Sequence, residues 1–380
     1  MTMKVKTLVW TVVILALVAL FGGRALWLYA HHETDEKLIR IGAVLPMSGI
    51  VSDSNKKIVV TLDVCKDMIE KTGALGNKTI RYQFEDGKLT VKDSLSAFYK
   101  LMLGKPNAAI VLGDVPVYGL NTRIKENKVP TMALIAGTSN ITQGNPYLFR
   151  AFQASNLLAK NNSRFLIAQK ADTVAILKIK NTAGDDMINQ FTEEYEKLGG
   201  KVLITERYAI DALDVRTQIA KMLSKKPKAV YISGFGTGYI AAFNQLKENN
   251  YNGLVLTESA VMDSAVYSHI VNNAEGVYFS VAGYNFDRFP DFVEKYKQRL
   301  GVEPDIFTAF TFMTMEVLSE AIKRKGEQPE QIREGLLSLK NFDTVMGKIT
   351  FDEEGELYLD SLELKQMQSD GAAKVVKEEK

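Results

Sequence analysis

Few residues in this 380-residue chain have the types and spacing that do chemistry. His31-His32-Glu33 is a possible ligand trio, but the only other histidine is His269 and the only cysteine is Cys65. Three scattered histidines and one thiol do not make a zinc site. Asp185-Asp186 and Asp352-Glu353-Glu354 lack the alternating oxygen spacing of a calcium loop and read as a helix N-terminal pair and a turn. "SGFGTG" (233–238) follows a strand, yet no GxGxxG and no Lys-Ser/Thr accompany it, which argues against phosphate binding. No GxSxG elbow ties a serine to His269. No catalytic residue, metal or cofactor is therefore expected.

The elements around these residues say more. "LIRIGAVL" (38–45), "TIRYQFED" (79–86), "AAIVLG" (108–113) and "TMALIA" (131–136) read as strands, with helical patterns between them at 58–73 and 91–103. A second series follows: strands at 173–179, 201–208, 229–236, 253–259 and 276–283, with helices at 184–199, 214–224 and 239–248. Two such alternations predict an α/β fold of two doubly wound parallel-sheet lobes, with ligands gathering where strands end. A helical stretch through 306–325 follows, and the tail ends as an antiparallel hairpin turning at Glu354-Gly355.

The expected division is an N-terminal signal or membrane anchor over 1–30 and a linker over 31–37. Lobe 1 takes 38–152 and returns over 285–342; lobe 2 takes 153–284 and returns with the tail over 343–380. A multi-strand hinge joins the lobes. Lys4 and Lys6 precede an apolar run from Thr7 to Gly23, longer than the roughly 7–15 residues of a signal-peptide core, and Gly23-Arg24-Ala25 is a poor cleavage site. The reading favours an uncleaved anchor over a secreted form, with the body on the periplasmic or extracellular side. A single cysteine gives that body no internal disulfide. Residues 1–30 hold three of the 47 Lys and Arg and no acid, leaving 44 bases against 45 acids outside. Nucleic acid is an improbable partner for so balanced a surface.

The stretches "IRIGAVLPMSG" (39–49), "TIRYQFEDGKLTVKDSLSAFYKLM", "VPTMALIAGTSNITQGNPYLFRAF", "RYAIDALDVRTQIAKMLSKKPKAVYISGFG" and "MGKITFDEEGELYLDS" follow one another in an order that resembles the type I periplasmic binding proteins. The resemblance is to the leucine/isoleucine/valine-binding branch that serves ABC importers, and it runs from Leu38 to Val376. It implies a two-lobed binding protein, not an enzyme, that closes on a small polar solute and meets an ABC permease.

In that family a serine after the third strand, backbone and hydroxyl groups after the fourth, and an acid in the second lobe hold an amino acid's carboxylate and ammonium. The acid's place falls on Glu258, which reads as an ammonium counter-charge or as a solvated loop acid. The stretch after the fourth strand falls on Ala136, Gly137, Thr138 and Ser139, which would offer backbone N–H groups to a carboxylate. The serine's place falls on Val117, with Tyr118 as a substitute. A second-lobe aromatic is kept as Phe235, whose flanking glycines admit a ligand or merely a tight turn, while another aromatic's place falls on Ala183. Ser48, Ser52 and Asp53 would touch ligand or cap the first helix, capping being favoured.

The departures at Val117 and Ala183 argue against plain branched-chain amino acids and leave an amide, a larger amino acid or another polar solute equally suitable. They also leave open a tethered sensor that reports occupancy to a membrane signalling partner, and a cleft given over to a protein partner.

Overall fold

Leu38–Leu45 alternates little because both faces of the strand are covered; in the computed structural model its last five residues are all buried. The model describes residues 37–49, 51–360 and 362–376. The expected anchor and His31-His32-Glu33 lie outside the described residues. Among those described, no helix is long and apolar enough to cross a membrane.

The first sheet has the order β2-β1-β3-β4-β5, from Thr79–Asp86, Leu38–Leu45, Ala108–Leu112, Thr131–Leu134 and Leu148–Ala151, with every pair parallel. The second has the order β15-β14-β10-β9-β8-β6-β7. Its β6 to β10 (Thr173–Ile179, Lys201–Tyr208, Ala229–Ser233, Leu254–Thr257, Tyr278–Ala282) are parallel, and β14 (Leu362–Met367) and β15 (Ala373–Val375) add antiparallel at one edge. A small antiparallel sheet of β11 (Phe342–Thr344), β12 (Gly347–Phe351) and β13 (Leu357–Leu359) carries the turn at Glu354-Gly355.

The helices α1 (Ser52–Thr72), α2 (Val91–Leu103) and α3 (Asp114–Asn127) cover the first sheet. On the second lie α4 (Ser155–Ala168), α5 (Thr182–Lys197), α6 (Arg216–Leu223) and α7 (Thr237–Glu248). After a short α8 (Ser264–Tyr267), α9 (Pro290–Leu300), α10 (Ile306–Lys325) and α11 (Pro329–Leu337) return to the first lobe, where α9 and α10 pack on α1.

Local chemistry sets several of these ends. Gly73, at φ 64°, closes α1 by giving its N–H to Glu70 and Ile69. Asn181 caps α5 through Gly184 N–H, and Asp305 caps α10 through Thr308 N–H. The capping role expected of Ser48, Ser52 and Asp53 is not taken up. Val51 holds the N-cap of α1 without a side-chain bond, Ser48 Oγ donates to Asp86 at 2.5 Å, and Asp53 pairs with Lys56 at 2.6 Å.

In both sheets the chain reverses its winding direction beside the first strand, between β1 and β3 and between β6 and β8. The carboxyl ends at such reversals open a crevice. Gly113 and Asp114 follow β3 there, and Gly234 to Gly236 follow β8, so the two crevices supply both walls of one cleft.

Candidate ligand cleft between the lobes

The cleft encloses about 630 Å³, room for a small organic molecule. Its walls are mainly apolar, with Ile135, Phe152 and Phe307 from one side and Ile179, Phe235 and Ile240 from the other. Among the polar groups the acids stand out.

Glu258 follows β9. Its Oε1 accepts from Ser233 Oγ at 2.5 Å and Tyr231 Oη at 3.2 Å. Burial pushes its carboxyl up to about 7, against the Ser233, Tyr231 and Gly234 donors, and like charge from Asp114 adds to the rise. Asp114, at the start of α3, accepts Thr138 N–H at 2.6 Å. Burial raises its carboxyl too, opposed by Thr138 and by the charge on Arg150.

Arg150 fixes the segment after β4. It is wholly buried in β5, pairs with Glu356, and donates to the carbonyls of Ala136 at 2.6 Å and Thr138 at 2.8 Å. Ser139 N–H then reaches across the cleft to Asp186 Oδ2 of α5 at 2.9 Å. Asp186 therefore does more than charge a helix end, while its neighbour Asp185 pairs with Lys178 at 2.5 Å.

A second bridge closes the lobes beside the cleft. Lys57 of α1 lies 2.6 Å from Asp263, in the turn after β9, and 2.7 Å from Asp305. Burial works against the ammonium, yet Asp305 and Asp263 together raise its pKa. Ser54 Oγ donates to Asp263 at 2.5 Å.

Gly137, Phe235 and Glu258 line the cavity, as does Ala183. Ala136 is buried behind the wall, and the N–H groups of Thr138 and Ser139 are occupied by Asp114 and Asp186. Tyr118 is 70% exposed and is not part of the wall. On a helix that steps 100° per residue, burying Val117 in the first-lobe core turns its neighbour outward, so Tyr118 does not take the missing serine's place. The glycines around Phe235 have a reason of their own. A Cβ on Gly234 would stand 2.5 Å from Tyr208 Oη, and one on Gly236 would stand 2.5 Å from Ile210 O. These close contacts within the protein account for both glycines.

Asp114, Lys57 and Asp263 are not marked out by the sequence, and Asp186 reads there only as a helix-end charge. Asp114 has a sequence signal, an acid directly after a strand end, three residues before the place of the missing serine. The others gained meaning only from partners far along the chain. Among the described residues no group of His, Cys, Asp and Glu is placed to hold a metal ion.

Residues 38–372 match the periplasmic binding protein family model. The chain belongs to that family. The leucine-, isoleucine-, valine-, threonine-, and alanine-binding protein of Pseudomonas aeruginosa is 21% identical over 347 residues, covering 89% of this chain and 92% of that one. Among solved structures, the leucine binding protein LivK of Thermotoga maritima superposes with a TM-score of 0.80 at 21% identity, over 89% of this chain and 98% of its own. An R. palustris ABC-transporter solute binding protein in complex with benzoate gives 0.79 at 17% identity, over 89% and 95%. At these identities the structural likeness shows the shared type I fold of two α/β lobes. These relatives are binding proteins, not enzymes, and the ligands in their names span amino acids and an aromatic acid.

Proposed function

We propose that this chain is an extracytoplasmic solute-binding protein, tethered by its N-terminal segment, that captures a small polar molecule and delivers it to an ABC permease. The observation carrying this reading is the 630 Å³ cavity between two lobes bridged by Lys57 and Asp263, with Glu258 set in its wall. Hinge closure buries the ligand, and the ligand in turn favours the closed state by its contacts to both walls. In this proposal lobe 1 is 38–152 with 285–342, and lobe 2 is 153–284 with β14 and β15 of the tail, which extend its sheet.

Titration calorimetry of the full-length protein against amino acids, amides, amines and aromatic acids tests the reading. Saturable binding of one class at micromolar concentration supports it. Silence across the panel overturns it and favours a surface that signals to a protein partner.

A sensing role is the second reading. It draws on the filled Thr138 and Ser139 amides, which leave less of an amino-acid clamp than the resemblance implies. Binding that leaves transport by the cell unchanged when the gene is deleted would favour it.

A further inference from the structure

The cleft has a charge imbalance. Asp114 from one wall and Glu258 from the other face the cavity, and among the described residues neither has a lysine or arginine partner at ion-pairing distance. The basic groups nearby are committed elsewhere. Lys57 is held by Asp263 and Asp305, and Arg150 by Glu356 and two carbonyls. Lys180 and His269, the other basic residues of the wall, are exposed, where solvent screens them.

Hydroxyl donors of the wall are committed as well: Ser54 Oγ gives to Asp263, Ser155 Oγ to the Gly137 carbonyl, Ser233 Oγ to Glu258 and Thr237 Oγ1 to the Ile210 carbonyl. The Thr138 amide, next to the wall residue Gly137, already serves Asp114 at 2.6 Å. Asn55, 4% exposed and part of the same wall, keeps an Oδ1 with no hydrogen-bond partner. A buried acceptor left unpaired calls for a donor. Two half-buried carboxylates and an orphan acceptor in a mainly apolar cavity complement a ligand that is a cation at one end and apolar at the other.

We infer that the cleft takes an organic ammonium, a primary amine with an apolar body and no neighbouring carboxylate, the carboxylate of Asp114 occupying the amide that a ligand's own carboxylate would need. The inference rests on the solute-binding reading and narrows its ligand class. A bound ammonium compensates Asp114 and Glu258 together, which is how the charge of both acids is put to use.

The test uses matched triplets with the full-length protein: 3-methylbutylamine, leucine and 4-methylpentanoate; then 2-phenylethylamine, phenylalanine and 3-phenylpropanoate. Calorimetry is expected to show binding of at least one amine, with the matched amino acid and acid weaker by about a hundredfold. Asp114→Asn and Glu258→Gln should each weaken the amine by about tenfold or more, the scale of one charged hydrogen bond. Asp114→Ser, which frees the Thr138 amide, should narrow or reverse the preference toward the amino acid. Circular dichroism and melting confirm that each variant is folded.

Binding of an amino acid or acid as tight as that of its amine overturns the ammonium assignment and leaves the solute-binding reading standing. Absence of binding by all six compounds, together with silence of the wider panel, overturns both. Amine binding unaffected by both Asp114→Asn and Glu258→Gln places the ammonium elsewhere and also overturns the assignment.

Discussion

Lys57 Nζ, on the first helix of one lobe, lies 2.6 Å from Asp263 Oδ1 on the other lobe, and both side chains are more than nine-tenths buried. With Asp305 2.7 Å away, one ammonium bridges two carboxylates at the seam. Lys57 sits on a helix over the first sheet and Asp263 follows a strand of the second, so the contact exists only when the lobes meet. The bridge therefore reports closure.

Lys57→Met should be strongly destabilising, because it leaves two carboxylates buried without their cation. Breaking a buried pair costs about 3–5 kcal/mol. Urea unfolding checks the loss. Small-angle scattering should show a larger radius for the variant, as the lobes lose their common charge; an unchanged radius would mean that the bridge does not hold them together.

The pH dependence of stability follows from Glu258 and Glu316. Burial pushes each carboxyl up to about 7, from an ordinary 4.5. A folded-state value above the unfolded one means the native state holds the extra proton between about 4.5 and 7. The stability this provides is fully present below 4.5 and is lost as pH rises through 7. The melting temperature of the ligand-free protein should fall between pH 5 and pH 8 from this contribution, and a profile rising across that window would contradict it.

Glu258→Gln isolates one of the two acids. The amide keeps an oxygen for Ser233 and Tyr231 but carries no charge, so the variant should melt at or above the parent temperature at pH 8 and flatten the decline. An amine ligand should bind it more weakly by at least about 1.5 kcal/mol. Calorimetry and melting read the two effects independently.

Arg150→Met should damage both fold and cleft. It strands the Glu356 carboxylate and the carbonyls of Ala136 and Thr138, each of which now accepts from the guanidinium. A loss of about 3–5 kcal/mol is expected, with faster hydrogen exchange over 136–139 than in the parent. Arg150→Lys should recover only part of it, since one ammonium cannot span three acceptors in a planar fork. Equal stability of the lysine variant and the parent would refute this account.

Much of the fold was legible because burial writes itself into local pattern. The strands at 38–45, 79–86, 173–179 and 201–208 were read with the bounds they have in the structure. The helix read from 58 begins at Ser52, because its first turn is polar and is held by Asp263 from the other lobe. Leu148–Ala151 escaped notice as a strand, being only four residues long and containing an arginine that a sequence reads as surface.

The site divides the same way. Glu258 stood out because an acid at a strand end in an α/β lobe is visible in sequence, and the resemblance gave it a place. Asp114 gained its meaning from Thr138, 24 residues on, and Ser139 from Asp186, 47 residues on.

Local residue pattern is enough to dictate the two α/β alternations, hence the two sheets and the cleft at their strand ends, because strand and helix periodicity are local consequences of which side chains must be buried. Tertiary structure alone decided which charges remain uncompensated in that cleft. A charge is neutralised by whatever lies within a few ångströms of it, and here those neighbours are set by how two lobes, built from distant parts of the chain, come together.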